Sequence, residues 1–205
     1  RRPAAGAAGN RAPRALTSGA CGREPCVPRR STTSSGARPV MQTGAMRIYL
    51  PATAAHLRAP ALGSSQEPCP AHAATPALAR ALPEEDEEGL EVSASLCAAD
   101  ASLVLLAEPG SEGLADRRIV IAADVDAECV RELAVEGDTL PGSVEVSGKI
   151  LWEDVAALLV DEAEAEADVR AARLGDEDAF ERAAEADLLW YDVTERDTLA
   201  ESLGV

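Results

Sequence analysis

Three aspartates that follow apolar stretches are the residues best suited to hold a metal ion. Asp124 and Asp126 come directly after the run at residues 119–123, and Asp161 follows the run at residues 155–160. Carboxylates just past the end of a strand commonly bind Mg²⁺ in enzymes that transfer phosphoryl groups. One hypothesis is therefore a Mg²⁺-dependent enzyme acting on a phosphorylated small molecule, although carboxylates at strand ends are more often solvated caps.

Four aromatic residues are candidates for lining a ligand pocket. They are Tyr49, Trp152, Trp190 and Tyr191. Tyr49 and the Trp190-Tyr191 pair lie on the first and last predicted strands, where they could meet across a sheet. Tyr and Trp combine an apolar body with a polar tip, which suits a pocket, but the same residues also serve as the large core residues of an alanine-rich domain.

Sequence motifs assign no catalytic residue and no cofactor. The chain has no G-x-S-x-G elbow, no H-E-x-x-H pair and no dinucleotide-binding glycine fingerprint. The two histidines, His56 and His72, lie in a proline-rich region without a recognisable partner for general-base chemistry.

The charge divides the chain into two chemically different parts. The net charge of −17 combines residues 1–45, with eight Arg and one Glu (+7), and residues 46–205, with 11 Lys or Arg and 35 Asp or Glu (−24). Nucleic-acid binding and attachment to an anionic membrane both need basic residues, so the acidic part predicts neither partner. Acidic runs of this kind are usually solvated helix faces, but they could also attract a basic partner or imitate DNA.

The basic segment at residues 1–45 is rich in Ala, Gly, Pro, Ser and Arg and has no apolar periodicity. It is therefore predicted to be disordered and to be a translated upstream extension. No apolar stretch before Met46 suits a secretory signal, no apolar run reaches the roughly 20 residues of a membrane span, and scattered cysteines suggest reduced thiols. We expect a cytoplasmic protein without a membrane partner.

Apolar patterning predicts an α/β (α+β) fold with about five strands in a single compact domain, residues 46–205. Alternation or β-branched runs predict strands at residues 46–50, 118–123, 144–148, 155–160 and 188–193. Helices are predicted at 77–82, from the acidic run 84–88 to Pro109, at 127–133, 161–174 and 176–187, with a weak one at the end. The long helix should bury Leu90, Ala94, Cys97, Ala101, Val104 and Leu105. Residues 52–75 should contain at most a short helix and a loop. These elements fit a mixed sheet with helices on one or both faces, and a split β-α-β arrangement is one way to build it.

The segment M-R-I-Y-L-P-A-T at residues 46–53 resembles the start of an uncharacterised family of small actinobacterial proteins, a domain of unknown function. The segments at residues 117–125, 155–161 and 188–192 are similar to its later blocks. The resemblance implies a domain that begins at Met46 and lies in the cytoplasm, and it carries over no catalytic residue.

The leading functional hypothesis is a small acidic binding or regulatory domain that recognises a protein partner or a small ligand. It would use its carboxylates or an aromatic-lined pocket. The Mg²⁺-dependent enzyme and an acidic protein that imitates DNA are the alternatives.

Overall fold

Seven strands form one sheet in the computed structural model, which describes residues 44–205. The strands are β1 (Ala45–Ala52), β2 (Leu62–His72), β3 (Ile119–Asp126), β4 (Val130–Glu132), β5 (Ser143–Ile150), β6 (Val155–Asp161) and β7 (Leu188–Tyr191). Their order is β4-β5-β2-β1-β3-β6-β7, and all paired neighbours are antiparallel. The disorder predicted for residues 1–45 lies outside the described residues, apart from Gly44 and Ala45. For Ala45 the prediction is wrong, because this residue begins β1.

Five α-helices accompany the sheet within residues 44–205, and capping residues in the sequence mark the starts of three of them. They are α1 (Pro76–Ala81), α2 (Glu87–Ala107), α3 (Glu166–Ala172), α4 (Glu177–Ala184) and α5 (Arg196–Ser202). Thr75, Asp86 and Asp176 precede α1, α2 and α4, and each accepts a hydrogen bond from a first-turn backbone N–H. Such caps satisfy donors that a helix start leaves without a partner.

The connection between β2 and β3 is the split β-α-β arrangement. Both strands are antiparallel to β1, which lies between them, so β2 and β3 run in the same direction and are joined through α1 and α2. The α+β class is therefore confirmed, with seven strands where about five were predicted. The predicted mixed sheet is corrected to an antiparallel one, because every pair of neighbouring strands is antiparallel.

The sheet buries apolar residues on both faces. On one face, Tyr49, Val120 and Ala122 pack with residues of α2 such as Ala94 and Ala98. On the other face, the alternating residues of the same strands pack with a short 3₁₀ helix at Ala54–Arg58 and with α5. A third cluster joins the end of α2 to α3 and α4. The alternation of side chains along each strand explains why neighbours such as Ile48 and Tyr49 belong to different clusters.

The long helix is confirmed, but the side of the helix that is buried differs from the predicted one. Ala94 is buried as expected, whereas Val104 is 59% exposed. The face that contacts the sheet consists largely of small residues: Ala94, Ser95, Ala98, Ala99 and Ser102, with Leu103 and Leu106 at the end. Small side chains let the helix backbone approach the sheet closely, so steric fit outweighs hydrophobicity here.

By length and composition alone, α2 could also cross a membrane. The sequence predicts no membrane span, because none of its uninterrupted apolar runs reaches the roughly 20 residues that a span needs. Core helices of water-soluble proteins meet the same criterion, and α2 has a face packed against the sheet.

Two strands occupy segments predicted otherwise. The first, β2, spans Pro68 and Pro70, where a loop was predicted. Its ladder with β1 is limited to Tyr49 and His72, and its ladder with β5 is irregular between Ser64 and Cys69, where Pro68 lies. Much of its edge facing β1 is therefore unpaired and tolerates residues without an N–H. The second, β4, occupies residues 130–132 of the helix predicted at 127–133 and pairs with β5, while a short 3₁₀ helix forms only at Ala127–Cys129.

Candidate functional site

A polar cleft of about 400 Å³ lies where the start of α2 meets β1 and β3. It is lined by Ala45, Met46, Arg47, Ala74, Glu87, Glu91 and Asp124. The pairing of β1 with β3 and the packing of α2 across both strands bring these residues together. Four of the seven are charged, so electrostatics determines what the cleft can bind.

Arg47 and Asp124 form a two-point ion pair in this cleft. The register of β1 and β3 places the two residues directly opposite each other. Arg47 Nε lies 2.6 Å from Asp124 Oδ1, and Nη2 lies 2.9 Å from Oδ2. The hydrogen bond from Arg47 holds the pKa of Asp124 below its usual value, and the same contact raises the pKa of Arg47. Both groups stay charged and largely neutralise each other.

Tyr49 links β1 to α2 behind the cleft. Its hydroxyl donates a hydrogen bond to Glu91 Oε2 at 3.2 Å. Burial, together with the neighbouring negative charge of Glu91, raises the pKa of Tyr49 to about 12. The phenol is therefore neutral at physiological pH and acts as a donor that orients the Glu91 carboxylate.

His72 lies across the strand pair from Tyr49 and is buried. Its Nδ1 atom has no hydrogen-bond partner among the residues that the structure describes. Burial lowers the pKa of His72, so the ring is neutral near pH 7. A buried polar atom without a partner costs free energy, which makes His72 a destabilising feature of the fold.

Carboxylates dominate the charge at the start of α2. Glu87 and Glu91 line the cleft, and both also line an adjoining surface depression with Asp86 and Glu88. The positive end of the helix dipole partly compensates the acids of the first turn. No group of three or more His, Cys, Asp or Glu in residues 44–205 is arranged to hold a metal ion. The geometry suits attraction of a positively charged group.

The four predicted pocket aromatics do not meet in one pocket. Tyr49 lies on the α2 face of the sheet. Trp152 packs against the opposite face, where its Nε1 donates to the Ala59 carbonyl at 2.7 Å and its ring lies 4.4 Å from the Arg196 guanidinium carbon. Tyr191 packs on the same cluster as Trp152, and Trp190 is 61% exposed. The pleat of the sheet separates these side chains, because neighbouring strand residues point to opposite faces.

The three aspartates of the metal hypothesis are also separated. Asp124 is engaged by Arg47, and Asp126 caps a short 3₁₀ turn by accepting from the Glu128 N–H at 3.1 Å. Asp161 pairs with Arg118 at the opposite end of β3, roughly 20 Å away at about 3.3 Å per strand residue. One ion cannot reach both ends, so the predicted set of Asp124, Asp126 and Asp161 is not a single Mg²⁺ site.

Three charged residues with partners in the structure were not identified as site residues from the sequence. Glu91 is a single acid in a mainly apolar stretch of α2, and Arg47 alternates with Tyr49 on one face of β1. Arg118 begins the central apolar run and is fully buried. A charged residue placed against an apolar run was the available signal in each case, but the sequence alone does not identify its partner.

Comparison with known proteins adds a family but no activity. The model of a family of unknown function, DUF6912, matches residues 46–200. No curated protein and no solved structure matches the chain.

Proposed function

Because the chain belongs to DUF6912, a family of unknown function, we propose a role from the cleft itself: a binding domain for a small ligand with a positively charged nitrogen. The observation that carries this proposal is that Glu87 and Glu91 line a cavity whose arginine is already engaged by Asp124. The cleft therefore has three carboxylates and one cation, which leaves an excess of negative charge.

The spacing of these glutamates supports a cation as the bound group. Glu87 and Glu91 are four residues apart on α2, so they lie on the same side of the helix. No ion pair within the described part of the chain involves either of them. Like charges at this spacing destabilise a helix by about 0.2–0.5 kcal/mol, and a cation bound between them would relieve that repulsion.

The hydrogen bond from Tyr49 gives one of the carboxylates a fixed orientation. With one oxygen of Glu91 held by the phenol, the other can accept from a ligand. Charge-assisted hydrogen bonds contribute about 1.5–3 kcal/mol each. A cavity of about 400 Å³ has the size of a small-molecule site, which favours a small amine over a large basic surface.

The test compares a series of amines with neutral analogues by isothermal titration calorimetry. Putrescine, spermidine and agmatine are the probes, and 1,4-butanediol is the uncharged control. We expect the amines to bind and the diol not to bind. Glu91→Gln should weaken amine binding by about tenfold or more, since 1.4 kcal/mol corresponds to a factor of ten.

A matched control is available on α5. Glu201→Gln removes the same charge from an exposed position on the helix that covers the opposite face of the sheet. It should leave the affinity within about twofold. Equal weakening by both variants would show that amines respond only to the overall charge, and the cleft proposal would then be wrong. Failure of all three amines to bind would also contradict it, as would binding of a polylysine peptide alone.

A further inference from the structure

The strand β7 forms an apolar edge of the sheet. Within residues 44–205 it pairs only with β6, so its outer edge has no strand neighbour. All four of its residues are apolar or aromatic, and Leu189 and Trp190 are exposed. The other edge strand, β4, is shorter and carries Arg131 and Glu132. Short, charged edges resist pairing with further strands, and β7 lacks that protection.

Contacts near the start and at the end of β7 hold this edge strand in place. Arg118, which is buried, donates from Nη2 to the carbonyl of Ala186 at 3.1 Å, two residues before β7 begins. The first residue of the strand, Leu188, pairs with Asp161, the partner of Arg118. At the other end Tyr191 packs against the core. A strand fixed in this way loses little conformational entropy when another strand is added.

We propose that β7 is the docking edge for an extended segment of a partner protein, which adds to the sheet as an eighth strand. An antiparallel edge strand directs the N–H and C=O groups of every second residue outward, and these groups would pair with the backbone of the segment. Trp190 and Leu189 supply apolar contacts on the two faces. Asp187 and Asp192 flank the strand, so the segment carries basic residues at its ends.

The flanking acids argue against a second copy of this chain as the occupant. Pairing of two β7 strands in antiparallel register would place Asp187 opposite Asp192 at both ends, and parallel pairing would place each acid beside its counterpart. Like charges directly opposite each other destabilise a strand pair. Two parts with a net charge of −24 each would add long-range repulsion. A basic segment would experience neither the repulsion between flanking acids nor the long-range repulsion.

Synthetic peptides test the proposal with the full chain. The probe is a six-residue peptide of alternating Val and Thr flanked by Lys, compared with the same peptide flanked by Glu. Two further Lys-flanked versions carry N-methyl groups on alternate residues, one in each phase. We expect the unmodified Lys-flanked peptide to shift the amide resonances of residues 188–191 and the indole resonance of Trp190. At least one N-methylated version should lose binding, because its hydrogen bonds to the edge are blocked.

Single-residue variants distinguish specific peptide binding at β7 from nonspecific binding to exposed apolar side chains. Trp190→Ala should weaken peptide binding by about tenfold or more, as expected for an aromatic anchor. Val104→Ala removes a similarly exposed apolar side chain from α2 and should have no effect. Asp187→Lys should shift the preference toward the Glu-flanked peptide.

Three results would overturn the proposal. The first is binding of both N-methylated peptides as tightly as the unmodified Lys-flanked peptide, since backbone pairing would then play no part. The second is a failure of the Lys-flanked peptide to bind. The third is concentration-dependent dimerisation that Trp190→Ala abolishes in analytical ultracentrifugation, which would identify a second copy as the occupant. None of these outcomes depends on the amine cleft.

Discussion

Arg118 and Asp161 form a buried ion pair with side-chain exposures of 1% and 0%. Arg118 Nη2 lies 2.8 Å from Asp161 Oδ1, and Nε lies 3.0 Å from both carboxylate oxygens. The backbone N–H of Arg118 also donates to Oδ2 at 2.7 Å. The pair ties β3 to β6, and through Ala186 it fixes the approach to β7. The Asp161 carboxylate is thus fully engaged by Arg118, which explains why it does not take part in a metal site.

Breaking this pair should strongly destabilise the fold. Asp161→Asn removes the closest compensating charge of the buried guanidinium and leaves only Asp100, which is partly exposed and lies 3.6 Å from Arg118 Nη1. We therefore expect a loss of about 3 kcal/mol in the free energy of unfolding, the lower end of the range of about 3–5 kcal/mol for a broken buried pair. Urea denaturation followed by circular dichroism measures the change. Arg47→Met serves as the control, because it removes the more exposed pair with Asp124. That variant should cost about 1 kcal/mol or less, and equal costs would refute the distinction between the two pairs.

Tyr49 should ionise late in an alkaline titration. Its pKa is raised to about 12, chiefly by burial, so the folded state retains a proton that the unfolded state releases near pH 10. The free energy of unfolding should therefore fall as the pH rises from about 10 to about 12. Phenolate absorbance follows the ionisation, and Tyr49→Phe should remove the late component. Glu91→Gln should lower the Tyr49 pKa only in part, because burial remains; a complete return to 10 would show that burial is not the main cause.

His72 should make the fold less stable in mild acid. Burial lowers its pKa below the usual 6.5, so the unfolded state binds a proton before the folded state does as the pH falls. Stability present above about pH 6.5 should be lost progressively as the pH falls through the folded-state pKa. His72→Leu should flatten this dependence and cost little stability at pH 7, since it also removes the Nδ1 atom without a partner.

The pKa of His56 is also lowered by burial, so the two rings must be followed separately by NMR. An apparent His72 pKa at or above 6.5 would contradict the assignment of a neutral, buried ring.

Gly63 should not tolerate a side chain. Its φ of +69° lies in the left-handed region, and an added Cβ would lie 2.9 Å from the carbonyl oxygen of Gly148 on β5. Gly137 also has a positive φ, +57°, but a Cβ there meets nothing within 4 Å. Both alanine variants should carry backbone strain, and Gly63→Ala should cost about 1–3 kcal/mol more because of the added steric conflict. Equal midpoints in urea denaturation would show that β2 and β5 can separate without cost.

Local patterns were sufficient for most of the secondary structure. The alternation at residues 46–50 predicted β1, and Thr75 and Asp176 marked the starts of α1 and α4, because strand periodicity and helix capping involve only nearby residues. The strand β2 escaped prediction because its prolines are acceptable only on an edge left largely open, and which edge is open depends on the neighbouring strands. Likewise, the buried face of α2 depends on steric fit against the sheet, which the helix sequence alone does not show.

The candidate sites show the same division. Composition and charge placed an acidic excess in residues 46–205, and the sequence identified Tyr49, Trp190 and Asp124 as residues worth following. Only the tertiary structure decided that Asp124 faces Arg47 across two strands, that Tyr49 holds Glu91 from α2, and that Trp190 lies exposed on an edge. Sequence patterns indicate on which face of a strand or helix each side chain lies. Partners 42 or 77 residues away are determined by strand order and register, which emerge only when the whole sheet assembles.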